Sequence, residues 1–157
     1  MVQLGTLARQ LEPLGVKTLG VVATDAERAR LYFRFRRPAM PVGADPELTT
    51  HRAYGLPNAP VPPAMWGAVE QAAVRELRLA ASPAEGAYTQ LGRFDGYEVS
   101  AEDQADFARH QAQLTGQFLV DRAGVVRWSY VECARDGLEG VDRLPPAEEV
   151  LAAARTL

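Results

Sequence analysis

The sequence predicts an α/β domain with a parallel sheet covered by helices. Three observations carry that expectation. The chain opens on an amphipathic run with helical spacing, continues into a β-branched apolar run, and then enters a second helical run. Helix, strand, helix in that order is the pattern of a sheet flanked by helices. Further on, two apolar runs flank Asp121-Arg122-Ala123-Gly124 in "GQFLVDRAGVVRWSYVE", which reads as a β-hairpin.

In the first element, Leu4, Leu7, Ala8, Leu11 and Leu14 share one face, and Pro13 and Gly15 mark its end. Residues 16–23, "VKTLGVVA", suit a buried strand. Thr24, with Glu27 three residues on, reads as a capping box opening a helix to about Arg37. Pro38 stops it. "MPVGADP" (40–46) reads as a short extended piece, and "PELTTHRAYG" as a helix closed by Gly55. Four prolines within 57–63 predict a stiff loop. Residues 64–80 read as helix despite Gly67, and 82–99 as Gly-rich and irregular. Ser100 caps a helix to about Ala112. The hairpin strands follow at 117–121 and 124–131, then a looser stretch at 133–146. A last helix has Val150, Leu151, Ala154 and Leu157 on one face.

Length and composition bound the function. At 157 residues, with 47% apolar and 24% charged residues, the chain has the size and mix of one globular domain. A net charge of −3 gives no reason to expect nucleic acid or an anionic membrane as partner. No apolar run is long enough for a transmembrane helix, and "MVQLGTLARQLEPLG" lacks the basic head and apolar stretch of a signal peptide, so a cytoplasmic location is expected. The single cysteine, Cys133, excludes an intramolecular disulfide and a zinc site built on paired cysteines. His51 and His110 have no metal-ligand spacing. No phosphate-binding glycine loop or Ser/His/Asp arrangement appears, and neither a metal nor a cofactor is expected.

Three segments in order resemble a known family. "LGVKTLGVVATDAERARLYF", "GADPELTTHRAYGLP" and "GQFLVDRAGVVRW" are similar to segments of the alkyl hydroperoxide reductase/thiol-specific antioxidant (peroxiredoxin-like) branch of the thioredoxin fold. The resemblance covers roughly residues 1–56 and 113–157. It implies a single thioredoxin-like domain over 1–157, with 57–112 as an inserted helical and loop segment. It also implies thiol-dependent, antioxidant reduction of a peroxide or disulfide, with a thiol reductant as partner.

In that family the reactive cysteine precedes the helix that here begins at Met1, and no residue of this chain matches it. The position before the "FLVD" strand, where the family carries an arginine or a cis-proline against the sulfur, is Thr115-Gly116-Gln117. Gly116 there allows close backbone approach. The family's central strand also lies upstream of Met1. Buried backbone groups without partners cost about 1–3 kcal/mol each, against a net stability of about 5–15 kcal/mol. The resemblance therefore implies an N-terminally truncated chain. Three readings follow: a misassigned start, a sheet that has closed up or borrowed a strand, or a degenerate fragment. The expected outcome is a chain without peroxidase turnover. The alternative is a non-enzymatic binding module on the same scaffold, with a homodimer filling the gap.

Each candidate has two readings. Cys133 is a resolving or lone redox thiol, with Arg135 favouring the thiolate and Glu132 and Asp136 opposing it, or a half-buried strand-end cysteine. Arg28, Arg30, Arg34, Arg36 and Arg37 attract an anion or form a solvated helix face. His51 and His110 are acid–base groups or ordinary, partly exposed histidines. Alternation places Arg127 and Trp128 on opposite sheet faces; Arg127 reads as a surface residue rather than a catalytic one, and Trp128 as core or a lid on the loop region rather than a ligand platform.

Overall fold

The computed structural model describes residues 2–34, 37–56, 58–59, 64–65, 67–68, 70–71, 74 and 100–157. These form a mixed α/β protein. The chain divides into two compact units. One comprises Met1–Pro57, Gly116–Tyr130 and Pro145–Leu157; the other comprises Asn58–Thr115 and Val131–Leu144.

In the first unit, α1 runs over Val2–Leu11, followed by a 3-10 turn at Glu12–Leu14. Gly15 ends it with φ +78, and its N–H donates to Glu12 O. Ala8 and Leu11 are buried, whereas Leu14 lies past the last helical turn and is exposed. The strand expected over 16–23 is shorter: β1 covers Gly20–Val22. It pairs in parallel with β2, Val42–Ala44, in the register Gly20↔Val42 and Val22↔Ala44. Three residues of β2 pair with three residues of β1, and residues 16–19 before them have no ladder partner among the described residues.

The crossover between these strands is α2, Ala26–Tyr32. Its cap is Asp25, whose carboxylate accepts from the Arg28 N–H at 2.9 Å, and not Thr24. The helix also ends earlier than the expected Arg37, at Tyr32 with Phe33 as C-cap. Next comes α3, Thr49–Ala53, closed by Gly55 at φ +69.

The hairpin consists of β5, Gly116–Val120, and β6, Val126–Val131. Its turn is organised by Asp121. That carboxylate accepts from the Ala123 and Val125 amides at 2.8 and 2.9 Å, and from Arg127 Nε at 2.7 Å. Gly124 takes φ +79, the left-handed position that this turn requires. The last helix, α5, covers Ala147–Ala154 and packs on α1. Leu11, Leu119, Val150 and Ala154 form the core here, with Leu7, Val16, Trp128 and Leu151 against it. Leu157 lies beyond the helix and is exposed.

In the second unit, the short strand β3, Asn58–Ala59, falls inside the segment expected to be a stiff loop. It pairs antiparallel with β4, Ala112–Gln113. The described residues between 64 and 74 are helical, and the remainder of the expected helix and the 82–99 stretch lie outside the described residues. Helix α4 spans Ala101–His110. It starts on a reciprocal capping box: Ser100 Oγ accepts from the Asp103 N–H, and Asp103 Oδ2 accepts from the Ser100 N–H.

One continuous sheet is not observed among the described residues. The strands form three separate two-stranded pieces, β1–β2, β3–β4 and β5–β6. Among the described residues, no helix is long and apolar enough to cross a membrane.

Candidate functional site

Cys133 lies two residues past the end of β6, after Glu132, and is half-buried. Its φ of +62 places a non-glycine residue in the left-handed region. Burial raises the thiol above its usual value, and the neighbouring Glu132 carboxylate raises it further. Both influences act against the thiolate, the form that attacks peroxides and disulfides.

Glu132 is the buried acidic residue of this region, 8% exposed. Its Oε2 accepts from the Thr115 N–H at 2.8 Å and its Oε1 from the Asp142 N–H at 2.6 Å. Its own N–H donates to Thr115 O at 2.9 Å. Thr115, Glu132 and Asp142 are thereby held together, with Asp142 also left-handed at φ +61. Gly140 packs so closely on Cys133 that an added Cβ would lie 3.3 Å from its N and Cα. Chemically, the cluster is a carboxylate clasp between Thr115 and Asp142 with a partly buried thiol next in sequence.

The other two residues of the expected active-site stretch belong to the first unit. Gly116 permits close approach, but by side chains: an added Cβ would lie 2.5 Å from Leu56 Cδ2 and 2.7 Å from Phe118 Cε2. Phe118 in turn stacks at a tilt on Tyr54, with ring centroids 4.7 Å apart. Gln117 is partly buried, and its Nε2 is sealed from solvent without a hydrogen-bond partner.

Among the described histidines, His51 has a partner that sequence spacing did not identify. Its Nδ1 lies 3.9 Å from Asp45 Oδ2, and the two side chains are 12% and 11% exposed. Asp45 is fixed from the other side. It accepts from the Thr49 N–H at 2.9 Å and from the Thr50 N–H at 2.6 Å. Burial pushes the Asp45 carboxyl up, but the Thr50 and Thr49 amides, the Thr50 hydroxyl and the His51 ring outweigh it. The group therefore sits below its ordinary value.

Trp128 is partly buried against the core, and its Nε1–H donates to Glu149 Oε1 at 3.2 Å. Arg127 projects on the exposed side and pairs with Asp121. Among the described residues, no group of three or more His, Cys, Asp and Glu side chains is arranged to hold a metal ion.

Sequence reasoning passed over Asp45, and it named Glu132 as a charge opposing the Cys133 thiolate but not as a hydrogen-bonding group. Asp45 did leave a signal, an acidic residue four and five positions before the first turn of a helix. The hydrogen bonds of Glu132 left none, because its partners at 115 and 142 are distant in sequence.

Comparison with family models, curated proteins and solved structures finds no match to this chain.

Proposed function

We propose that this chain is a thioredoxin-like scaffold, similar to the peroxiredoxin-like thiol oxidoreductases, without peroxidase or disulfide-reductase turnover of its own. The observation that supports the reading is the state of its one cysteine. A working nucleophile needs a depressed thiol pKa and an electropositive neighbour. Cys133 has a raised pKa and a buried carboxylate beside it. A cytoplasmic setting, with a thiol reductant as the natural electron donor of such scaffolds, goes with this reading. The test is to incubate the purified chain with hydrogen peroxide and a thioredoxin reductant. Reductant consumption at the buffer rate is expected, and turnover above it overturns the proposal.

A second reading is favoured by a separate observation. The β1–β2 and β5–β6 pairs are separate sheets, and Leu19 before β1 and Val120 in β5 are 64% and 39% exposed. Unpaired strand edges beside exposed apolar side chains are surfaces that pair with another chain. On this reading the protein is a non-enzymatic interaction module, and a homodimer covers those edges. Sedimentation equilibrium tests it. A concentration-dependent dimer supports the module, and a monomer at high concentration counts against the homodimer.

A further inference from the structure

The segment 133–142 is closed at its base by Glu132, and both of its ends carry left-handed backbone. The Glu132 N–H donates to Thr115 O at 2.9 Å, so this residue is anchored from outside the segment. Its side chain reaches forward from that anchor. Oε2 accepts the Thr115 N–H at 2.8 Å, and Oε1 accepts the Asp142 N–H at 2.6 Å. One buried carboxylate thus joins the anchored base to the far end of the segment. All of these residues belong to the second unit.

The stretch between the two ends has little to hold it down. Residues 134–139 are all exposed, and their large apolar side chain, Leu138, is 39% exposed. The return at Gly140 and Val141 is buried. Within the stretch the backbone bonds are short in range. The Gly137 N–H donates to Cys133 O at 3.0 Å, and the Val141 N–H donates to Leu138 O at 3.3 Å. Exposed, short-range bonds with few buried apolar contacts mark a region that opens before the rest of a domain.

The backbone pulls the same way. Cys133 and Asp142 take φ +62 and +61, where the side chain crowds the following carbonyl. Such conformations persist only where the surroundings enforce them. At Asp142 the Glu132 carboxylate does so. At Cys133 it is Gly140, packed so closely that an added Cβ would lie 3.3 Å from the Cys133 N and Cα.

We propose that residues 133–142 form a strap that comes undone as one cooperative unit while the rest of the chain stays folded, and that the Glu132 carboxylate is its latch. Undoing the strap lets Cys133 and Asp142 relax to ordinary backbone, lifts Gly140 off Cys133 and frees Glu132 Oε1. Compact surface loops with their ends tied together are frequently functional parts of a fold. The inference stands apart from the thiol reading above, because it needs no reaction at Cys133.

Amide hydrogen exchange followed by NMR on the full chain tests it. The informative amides are Gly137 and Val141, which lie in the strap but make no bond to Glu132. The references are Asp121 and Gly124, whose amides bond within the hairpin turn of the other unit. Glu132→Gln weakens the latch and is expected to speed exchange at Gly137, Val141 and Asp142 several-fold and by a common factor. Asp121 and Gly124 are expected to keep their rates. Acceleration confined to Thr115 and Asp142 overturns the proposal, because the carboxylate then holds its own two partners and nothing more. Equal acceleration at Asp121 and Gly124 overturns it too, because the strap is then no separate unit. Gly140→Ala leaves the carboxylate in place and crowds the strap against Cys133. It is expected to speed the same amides, and unchanged rates at Gly137 and Asp142 count against a single unit. Should one variant fail to fold, the other decides the matter.

Discussion

Glu132 grips Thr115 twice, through its amide, which donates to Thr115 O at 2.9 Å, and through Oε2, which accepts the Thr115 N–H at 2.8 Å. The same carboxylate accepts the Asp142 N–H. Removing it therefore takes the acceptor from two partly buried amides. Hydrogen bonds to a charged acceptor are worth about 1.5–3 kcal/mol and less where water replaces the acceptor, so Glu132→Ala is expected to lose about 1–3 kcal/mol. Glu132→Gln keeps one acceptor oxygen and is expected to lose less. Urea unfolding midpoints of the two variants check the order, and equal losses would mean that the clasp is not what stabilises this region.

Cys133 should alkylate slowly. Burial first, and Glu132 second, raise its thiol, so the reactive thiolate is scarce near neutral pH. Iodoacetamide labelling of the folded chain is expected to lag behind a free cysteine peptide and to accelerate as pH rises above the usual thiol value. Glu132→Gln removes the like charge and should move that rise to lower pH. Labelling of wild type at the peptide rate at pH 7 would contradict the sheltered setting.

Leu119 is the strand residue of the first unit's core, 5% exposed beside Leu11, Val150 and Ala154. Leu119→Ala leaves a cavity and is expected to cost about 2–5 kcal/mol. Val126, on the facing strand but 44% exposed, is the control. Val126→Ala should change stability by no more than about 0.5 kcal/mol. Thermal unfolding distinguishes the two.

Acid should weaken the fold through Asp45 and Asp121. Burial raises Asp45, but the Thr50 and Thr49 amides outweigh it. The Val125 amide and the Arg127 side chain lead in lowering Asp121. A carboxylate whose folded pKa lies below its unfolded value binds fewer protons when folded. Its contribution is therefore fully present above the unfolded value of about 3.9 and is lost as pH falls through the folded value. Stability is expected to decline below about pH 5 and to keep declining as these groups protonate. Asp121→Asn should flatten that decline. An identical acid limb in wild type and variant would remove Asp121 from the account.

The local elements were legible in the sequence because their determinants are local. The Leu4–Leu11 spacing marks α1, Ser100 marks the start of α4, and Asp121 to Gly124 mark the hairpin turn. In each case the partners lie within a few residues, so short-range geometry decides the outcome. The cap of α2 was misplaced by one residue because Thr24 and Asp25 are both competent caps, and only Asp25 reaches the Arg28 amide. The length of β1 was not legible at all. Residues 16–23 are mostly apolar or β-branched, but a strand extends only where a neighbour supplies hydrogen bonds, and β2 supplies three residues. The same reason hid the hydrogen bonds of Asp45 and Glu132 from the sequence. A carboxylate's role depends on which amides and rings meet it. Chain folding brought Thr115 and Asp142 to Glu132, and the turn at Leu48 brought His51 to Asp45. Sequence determined which segments turn and coil, and tertiary structure decided which polar atoms meet, because hydrogen bonds between distant residues form only after the backbone has been placed.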